Sequence, residues 1–235
     1  MKPVAIFRHS PTEGSGYFAT FLDEHAIPWV LIRIDEGDAV PFDARDYSGL
    51  VFMGGNMSVN DDLPWIPRSL ELIRDAYAKD IPVLGHCLGG QLMSKAMGGV
   101  VTKNPVKELG WGRTEVANND VARKWFGDIR SFDSFHWHGE TFSLPQDSIQ
   151  LLSSAHCANQ AFAIGKHLAL QCHVEMTEPM IREWCDVGAA ELAANASSPA
   201  VQSAQVMQAQ MQDRLPALHR VATQLYRHWL QGLAK

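Results

Sequence analysis

Ile81-Pro-Val-Leu-Gly-His-Cys-Leu-Gly-Gly-Gln91 decides how this chain is read. An apolar run of strand type leads to Cys87, and from Gln91 to Met97 the pattern becomes helical. A strand that turns into a helix at a single residue brings main chain against main chain, and only small neighbours fit there. Gly85 stands two residues before Cys87 and Gly89 two after it. Such a turn holds the sulfur at the carboxyl end of the strand, beside the free N–H groups of the following helix. Those donors favour the thiolate over a thiol whose ordinary pKa is about 8.5. A lone cysteine in a strand-to-helix joint is more often an inert core residue. Glycine on both sides favours a nucleophile.

Working outward, Pro3–Phe7, Trp29–Ile34 and Gly49–Met53 are apolar runs suited to buried parallel strands, and the third ends directly in Gly54-Gly55. Tyr17, Phe18, Phe21 and Leu22 recur at helical spacing, as do Ile66, Leu70, Ile73 and Tyr77 within a helix expected over 66–79. Strands alternating with helices predict an α/β fold, a doubly wound, mostly parallel central sheet flanked by helices. Ligands of such sheets sit beyond the carboxyl ends of the strands, where both Gly54-Gly55 and Cys87 fall. From Val100 to Gly165 shorter strands and hairpins predict an antiparallel portion, with one helical insert near 121–126. A late strand, 166–172, leads to His173, and a helix over 177–194 follows with Thr177 as its N-cap.

Gln171-Cys-His-Val-Glu175 is the second chemical cluster. Residues two apart on a strand share a face, so His173 and Glu175 point the same way. A carboxylate can then fix the imidazole tautomer while the other ring nitrogen faces a nucleophile. Alone, the pair reads equally well as a surface ion pair. With Cys87 it completes a Cys-His-Glu relay.

Gly85–Gln91, Met53-Gly-Gly55 and Gln171–Glu175 together resemble the three hallmark motifs of class I glutamine amidotransferases, in order and spacing as well as in residues. The chain looks like a stand-alone protein similar to the amidotransferase domain of GMP synthase, the likeness running to about Glu175. The resemblance implies that Cys87 attacks the carboxamide of glutamine, forms a thioester with loss of ammonia, and is released by water. His173 would move the proton and Glu175 hold the ring. The N–H groups of Gly55 and Leu88 would receive the oxyanion, with Gly54 allowing main chain near the ligand. Gln91, one helical turn after Cys87, would hold the substrate's amino-acid end. Phe135-His-Trp-His-Gly-Glu140 resembles the family segment whose backbone cradles glutamine, which places His136 and Trp137 at the substrate. His136, His138 and Glu140 alternate as metal ligands could, but no further ligand is evident and the family uses none, so no metal and no cofactor is expected. Glu108–Trp111 shapes the pocket wall. The chain departs from the family at Asn56 and Val174, where proline is usual, and at His86, where an aliphatic residue is usual. His86 is expected to be buried, hydrogen-bonded and turned away from the Cys87 face.

The 235 residues fit one domain, with a catalytic core of about 1–195 and a helical C-terminal extension of about 200–235. In that extension Met211, Leu215, Leu218, Ala222, Leu225 and Trp229 form a helical stripe that packs on its own domain or forms a homodimer seam, and Pro216 kinks or starts it. A net charge of −6 without a basic run argues against nucleic acid. No apolar stretch approaches the ~20 residues of a membrane span and no signal-peptide pattern opens the chain, which predicts a cytoplasmic protein without a membrane partner. The four cysteines form no CxxC pair. No GxxxxGK[ST] or GxGxxG run offers a nucleotide site, so an ammonia-accepting synthase would be a separate chain. A γ-glutamyl peptidase, using the same thioester on a γ-glutamyl compound, is the competing reading; a non-catalytic regulator is the weaker one.

Overall fold

The computed structural model describes residues 1–234. The chain runs β1 (Val4–Arg8), α1 (Gly16–Glu24), β2 (Trp29–Arg33), β3 (Gly49–Phe52), α2 (Trp65–Ala78), β4 (Val83–His86) and α3 (Leu88–Ala96). It continues through β5 (Val101–Val116), α4 (Asp120–Phe126), β6 (Ser131–Phe142), β7 (Ile149–Ser154), β8 (Ala161–Ile164) and β9 (His167–Leu170). Four helices close it: α5 (Glu178–Val187), α6 (Ala189–Ala194), α7 (Ala204–Ala209) and α8 (Met211–Leu230).

One nine-stranded sheet has the order β2-β1-β3-β4-β9-β8-β7-β5-β6. The first five strands are parallel. The remaining pairings are antiparallel. The parallel strands are apolar throughout because both their faces are covered. Ala5, Phe7, Leu50, Phe52, Val83 and Ala169 pack on one side with Leu72, Ile73, Leu88 and Leu92 of α2 and α3. Val4, Ile6, Val51, Leu84 and Leu168 pack on the other with residues of α1, α5 and α8. Phe52 pairs with Gly85 and Gly85 with Ala169, so the carboxyl ends of β3, β4 and β9 lie level at one sheet edge.

Three local expectations change. The region after Val100 holds the longest strand, sixteen residues of β5, because pairing with β6 carries it past Pro105 by a register break between Lys103 and Glu108. The helix expected over 177–194 is two, α5 and α6, meeting at Gly188, where a Cβ would lie 2.3 Å from the Trp137 ring. Thr177 occupies the N-cap position of α5 without a side-chain capping bond.

The apolar stripe of the extension packs on its own sheet, with Leu218, Ala222, Leu225 and Trp229 in the core, and Pro216 falls inside α8. Lys235, the end of the expected extension, lies outside the described residues. Among the described residues no helix is long and apolar enough to cross a membrane.

Candidate active site

β4 ends at His86 and α3 begins at Leu88, so Cys87 alone makes the turn, at φ +50° and ψ −107°. A non-glycine residue held there costs about 1–3 kcal/mol, which the surrounding structure must offset. Backbone bonds on both sides do so: Cys87 N–H donates to Leu170 O at 2.8 Å, and Gln91 N–H to Cys87 O at 3.0 Å. The flanking glycines leave no alternative. A Cβ on Gly85 would lie 2.4 Å from the carbonyl carbon of Gly89, and one on Gly89 would lie 2.0 Å from Phe52 O. The elbow is therefore closed against β3 by main chain.

Cys87 is 7% exposed and opens into a cleft of about 1140 Å³. Gly55, Gln91, Trp137 and Glu140 line that cleft with it. Leu88 N–H is the first of α3 and has no acceptor within its helix. Gly55 lies against Leu88, since a Cβ on Gly55 would be 2.7 Å from Leu88 Cδ2. Trp137 O stands 3.9 Å from Cys87 Sγ. Gln171 Nε2 donates to the sulfur at 3.5 Å, and Gln171 Oε1 accepts from Gln91 Nε2 at 3.2 Å. Gln91 thus reaches the site through Gln171, a residue the sequence reading quoted without giving it a role.

His173 and Glu175 meet as expected, but not on a continuous strand. β9 stops at Leu170, and His173 is held instead by a two-residue bridge to Phe135 of β6, with His173 N–H donating to Phe135 O at 2.8 Å. His173 Nδ1 donates to Glu175 Oε1 at 2.6 Å. The Trp184 ring of α5 meets the imidazole edge-on at 4.8 Å. His173 Nε2 is buried with no hydrogen-bond partner, free for a thiol proton. Burial opposes the imidazolium, yet the Glu175 carboxylate and the nearby Cys87 raise its pKa well above the usual value. Burial opposes the Glu175 charge too, but His86 and His173 hold that carboxyl at about 2.

Behind the dyad, His86 is fully buried and turned from the cleft. Its Nε2 lies 3.7 Å from Glu175 Oε2 and 3.3 Å from the Tyr226 hydroxyl of α8. His219, also on α8, places Nε2 2.8 Å from Met176 O. The extension helix thus backs the Glu175 carboxylate. On the β3 side, His9 Nδ1 donates to Met53 O at 3.0 Å and stacks on Trp65, fixing the start of the Gly54-Gly55 loop. Burial pushes His9 down to about 4, so it acts as a neutral donor. Both histidines follow or end apolar strands at the sheet's carboxyl edge, the signal that could have marked them.

His136 does not face the cleft. Alternation along β6 points it away from Trp137 and toward Ser134, whose Oγ lies 3.0 Å from its Nε2. Its contribution to the cleft is confined to backbone beside Trp137. The missing third member of the His136–His138 cluster is Glu108, whose carboxylate, with both rings, keeps three ligand-type atoms within 4.8 Å of one another. These residues have the donor set for a divalent cation. In the structure Gln160 Nε2 sits among them, donating to Glu108 Oε2 at 2.8 Å, while Ser154 Oγ donates to Glu108 Oε1 at 2.8 Å. Glu108 Oε2 also faces His138 Nε2 at 3.0 Å. The segment thus gains a role the sequence did not suggest, a buried polar brace behind Trp137.

The class-I glutamine amidotransferase profile matches residues 24–180. The chain belongs to that family. Over its whole length it superimposes on 96% of a glutamine amidotransferase from Methylobacillus flagellatus, with TM-score 0.97 and 45% identity. It is 28% identical to gamma-glutamyl peptidase 3 of Arabidopsis thaliana, covering 73% of each chain. It is 31% identical to the GMP synthase of Finegoldia magna over 54% of this chain but only 24% of that one. The α/β fold, with its mostly parallel sheet and antiparallel addition, is that of the family.

Proposed function

We propose that this family member hydrolyses the side-chain amide of glutamine through a thioester on Cys87. The observation that carries the reading is the strained Cys87 elbow opening into the cleft, with Cys87 near enough to His173 of the buried His173–Glu175 pair to raise that histidine's pKa. His173 takes the thiol proton as sulfur attacks the carboxamide carbon. The resulting oxyanion lies toward Gly55 and Leu88 N–H, where two fixed donors act on charge that develops only in the transition state. The C–N bond breaks, His173 returns the proton to nitrogen, and ammonia leaves. Water, deprotonated by the same imidazole, then attacks the thioester and frees glutamate and the thiol. Glu175 orients His173 and stabilises its charge throughout. Gln91 and Trp137 contribute the amino-acid side of the pocket.

The ammonia would pass to a separate synthase in the cytoplasm, and an isolated chain is then expected to hydrolyse free glutamine only weakly. The loop Gly54-Gly55-Asn56, with Asn56 exposed at the cleft, is the element whose alignment a synthase would complete. Misalignment of one donor lowers turnover by about 10²–10³-fold.

One observation favours the γ-glutamyl peptidase reading: a cleft of about 1140 Å³, reaching out to Lys103, Lys107 and Asn195, exceeds the ~300–1,000 Å³ usual for small ligands. Purified protein offered glutamine and γ-glutamyl peptides in parallel, with ammonia and released amine both measured, separates the two. Ordinary enzymatic turnover of a γ-glutamyl peptide with glutamine ignored would overturn the glutamine assignment and leave the triad standing.

A further inference from the structure

The loop between β1 and α1 puts a second carboxyl group beside the reaction centre. Glu13 lines the cleft with Cys87, Gly55 and Trp137. Its carboxylate and the His173 ring press on the same spot: a Cβ on Gly54 would lie 2.2 Å from Glu13 Oε2 and 3.3 Å from His173 Cε1. Cε1 is bonded to Nε2, the atom that hands the proton to the departing nitrogen. The loop is tied to the dyad at both ends. Thr12 O accepts from Trp184 Nε1 at 2.7 Å, and Tyr17 N–H donates to Glu175 O at 2.8 Å. Glu13 N–H donates to Ser10 O at 3.0 Å, whereas among the described residues the hydrogen bonds include none to the Glu13 carboxyl oxygens. A carboxyl group without a donor, held beside a proton-transferring edge, is a site for a cationic or hydrogen-rich ligand.

We infer that Glu13 is the amine-binding group of the site, receiving the nitrogen that leaves the acyl-enzyme and favouring primary amines and ammonium over bulkier or anionic leaving groups. The inference rests on the amide-hydrolase reading above. As the C–N bond of the tetrahedral intermediate breaks, its electron pair stays on nitrogen and the His173 proton joins it. The freed amine donates a hydrogen bond to the Glu13 carboxylate, and no further reactant is needed. The charge on the subsite varies with pH. Burial first, and then the Glu175 charge, raise the Glu13 pKa to about 7 against the opposing pull of His173. The other neighbours from the packed elements are Cys87 on the elbow, neutral His9 beside Gly55, His86 behind Glu175, whose pKa burial lowers, and uncharged Trp184 on α5. Lys103, Lys107, Glu140 and Glu191 lie along the outer cleft.

The test is modification of Cys87 by two thiol reagents of similar size, cationic aminoethyl methanethiosulfonate and neutral methyl methanethiosulfonate, between pH 5.5 and 8.5. In the wild-type protein the cationic-to-neutral rate ratio should rise about 5–10-fold across that range as Glu13 ionises. Glu13→Gln should hold the ratio flat while the neutral reagent still reacts, and Glu13→Asp should recover part of the rise. A flat wild-type ratio, or an equal rise in Glu13→Gln, overturns the inference. A purely structural role for Glu13 would slow both reagents alike, which also overturns it. The wild-type profile needs no variant to fold. Failure of the amide-hydrolase reading shows separately, as the absence of any γ-glutamyl thioester on Cys87 by mass spectrometry with glutamine or γ-glutamyl peptides.

Discussion

In the parallel half of the sheet Cys87 is held by backbone that has nowhere to go, whereas across the cleft Trp137 is held by side chains that grip one another. The elbow depends on main-chain atoms of Gly85, Gly89 and Phe52 in close contact. The Trp137 wall depends on the Glu108–His138–Gln160 hydrogen bonds behind it and on Trp137 Nε1 donating to Glu191 at 2.9 Å. Steric constraint fails all at once, because a new atom has no place. A hydrogen-bonded brace fails by degrees, because each lost bond removes about 0.5–1.5 kcal/mol net. The half that must fix a nucleophile to a fraction of an ångström uses the first kind of support. The half that shapes a pocket uses the second.

The comparison breaks most visibly at the reacting groups. Cys87→Ala and His173→Ala should lower turnover by about 10⁴–10⁶-fold, with the fold intact by circular dichroism. Glu175→Gln should cost less, on the order of 10⁴-fold, if Glu175 orients rather than reacts as proposed; full activity in that variant would remove it from the mechanism. The same carboxyl group has a pH signature. Its pKa falls from an ordinary value of about 4.3 to about 2 in the fold, so its stabilisation is complete above the first value and lost as pH falls through the second. The gap in Tm between wild type and Glu175→Gln should therefore hold steady above pH 5, narrow below it, and close only as pH nears about 2.

Next in size is Gly85→Ala. Its methyl group would meet backbone rather than a movable side chain, and a loss of more than about 3 kcal/mol in denaturant unfolding is expected, together with slowed alkylation of Cys87. A stable variant whose Cys87 is still alkylated faster than Cys157, Cys172 and Cys185 would show that the elbow can relax. The smallest effect belongs to the brace. Glu108→Gln should cost about 1–3 kcal/mol by leaving buried donors partly unpaired, while Cys87 alkylation stays within a few-fold of wild type. A loss of alkylation matching that of Gly85→Ala would erase the distinction between the two halves.

The elements that the sequence made legible are those whose constraint is local. The apolar runs of β1, β3 and β4 and Gly85, which closes on Gly89 four residues on, state their own geometry, because each depends on neighbours within a few residues. Even so, strand alternation predicts the His173–Glu175 pairing, whereas it arises from a bend after Leu170 pinned by Phe135. What was not legible is what comes together across the chain. Glu13, Glu108, His9 and Tyr226 belong to separate segments, and nothing near any of them in sequence shows what it will touch. Glu108 joins His136 and His138 only because β5 and β6 pair in the register Glu108↔His138. His136 shows the converse limit, since its side chain is not among those lining the cleft. A motif places backbone correctly but not the face its side chain takes.

The contact of Tyr226 with His86, and of His219 with Met176, also has a meaning in time. During synthesis Cys87, His173 and Glu175 all emerge before α8. Until α8 docks, His86 has no hydroxyl partner and the turn after Glu175 has lost an anchor. A nascent chain carrying every reacting group should thus remain a poor thioester former until residues 211–230 have folded back, which ribosome-stalled chains of increasing length, probed by Cys87 alkylation, would display as a late step. On the proposed mechanism chemical competence would come last, from a helix that lies behind the cleft rather than along it.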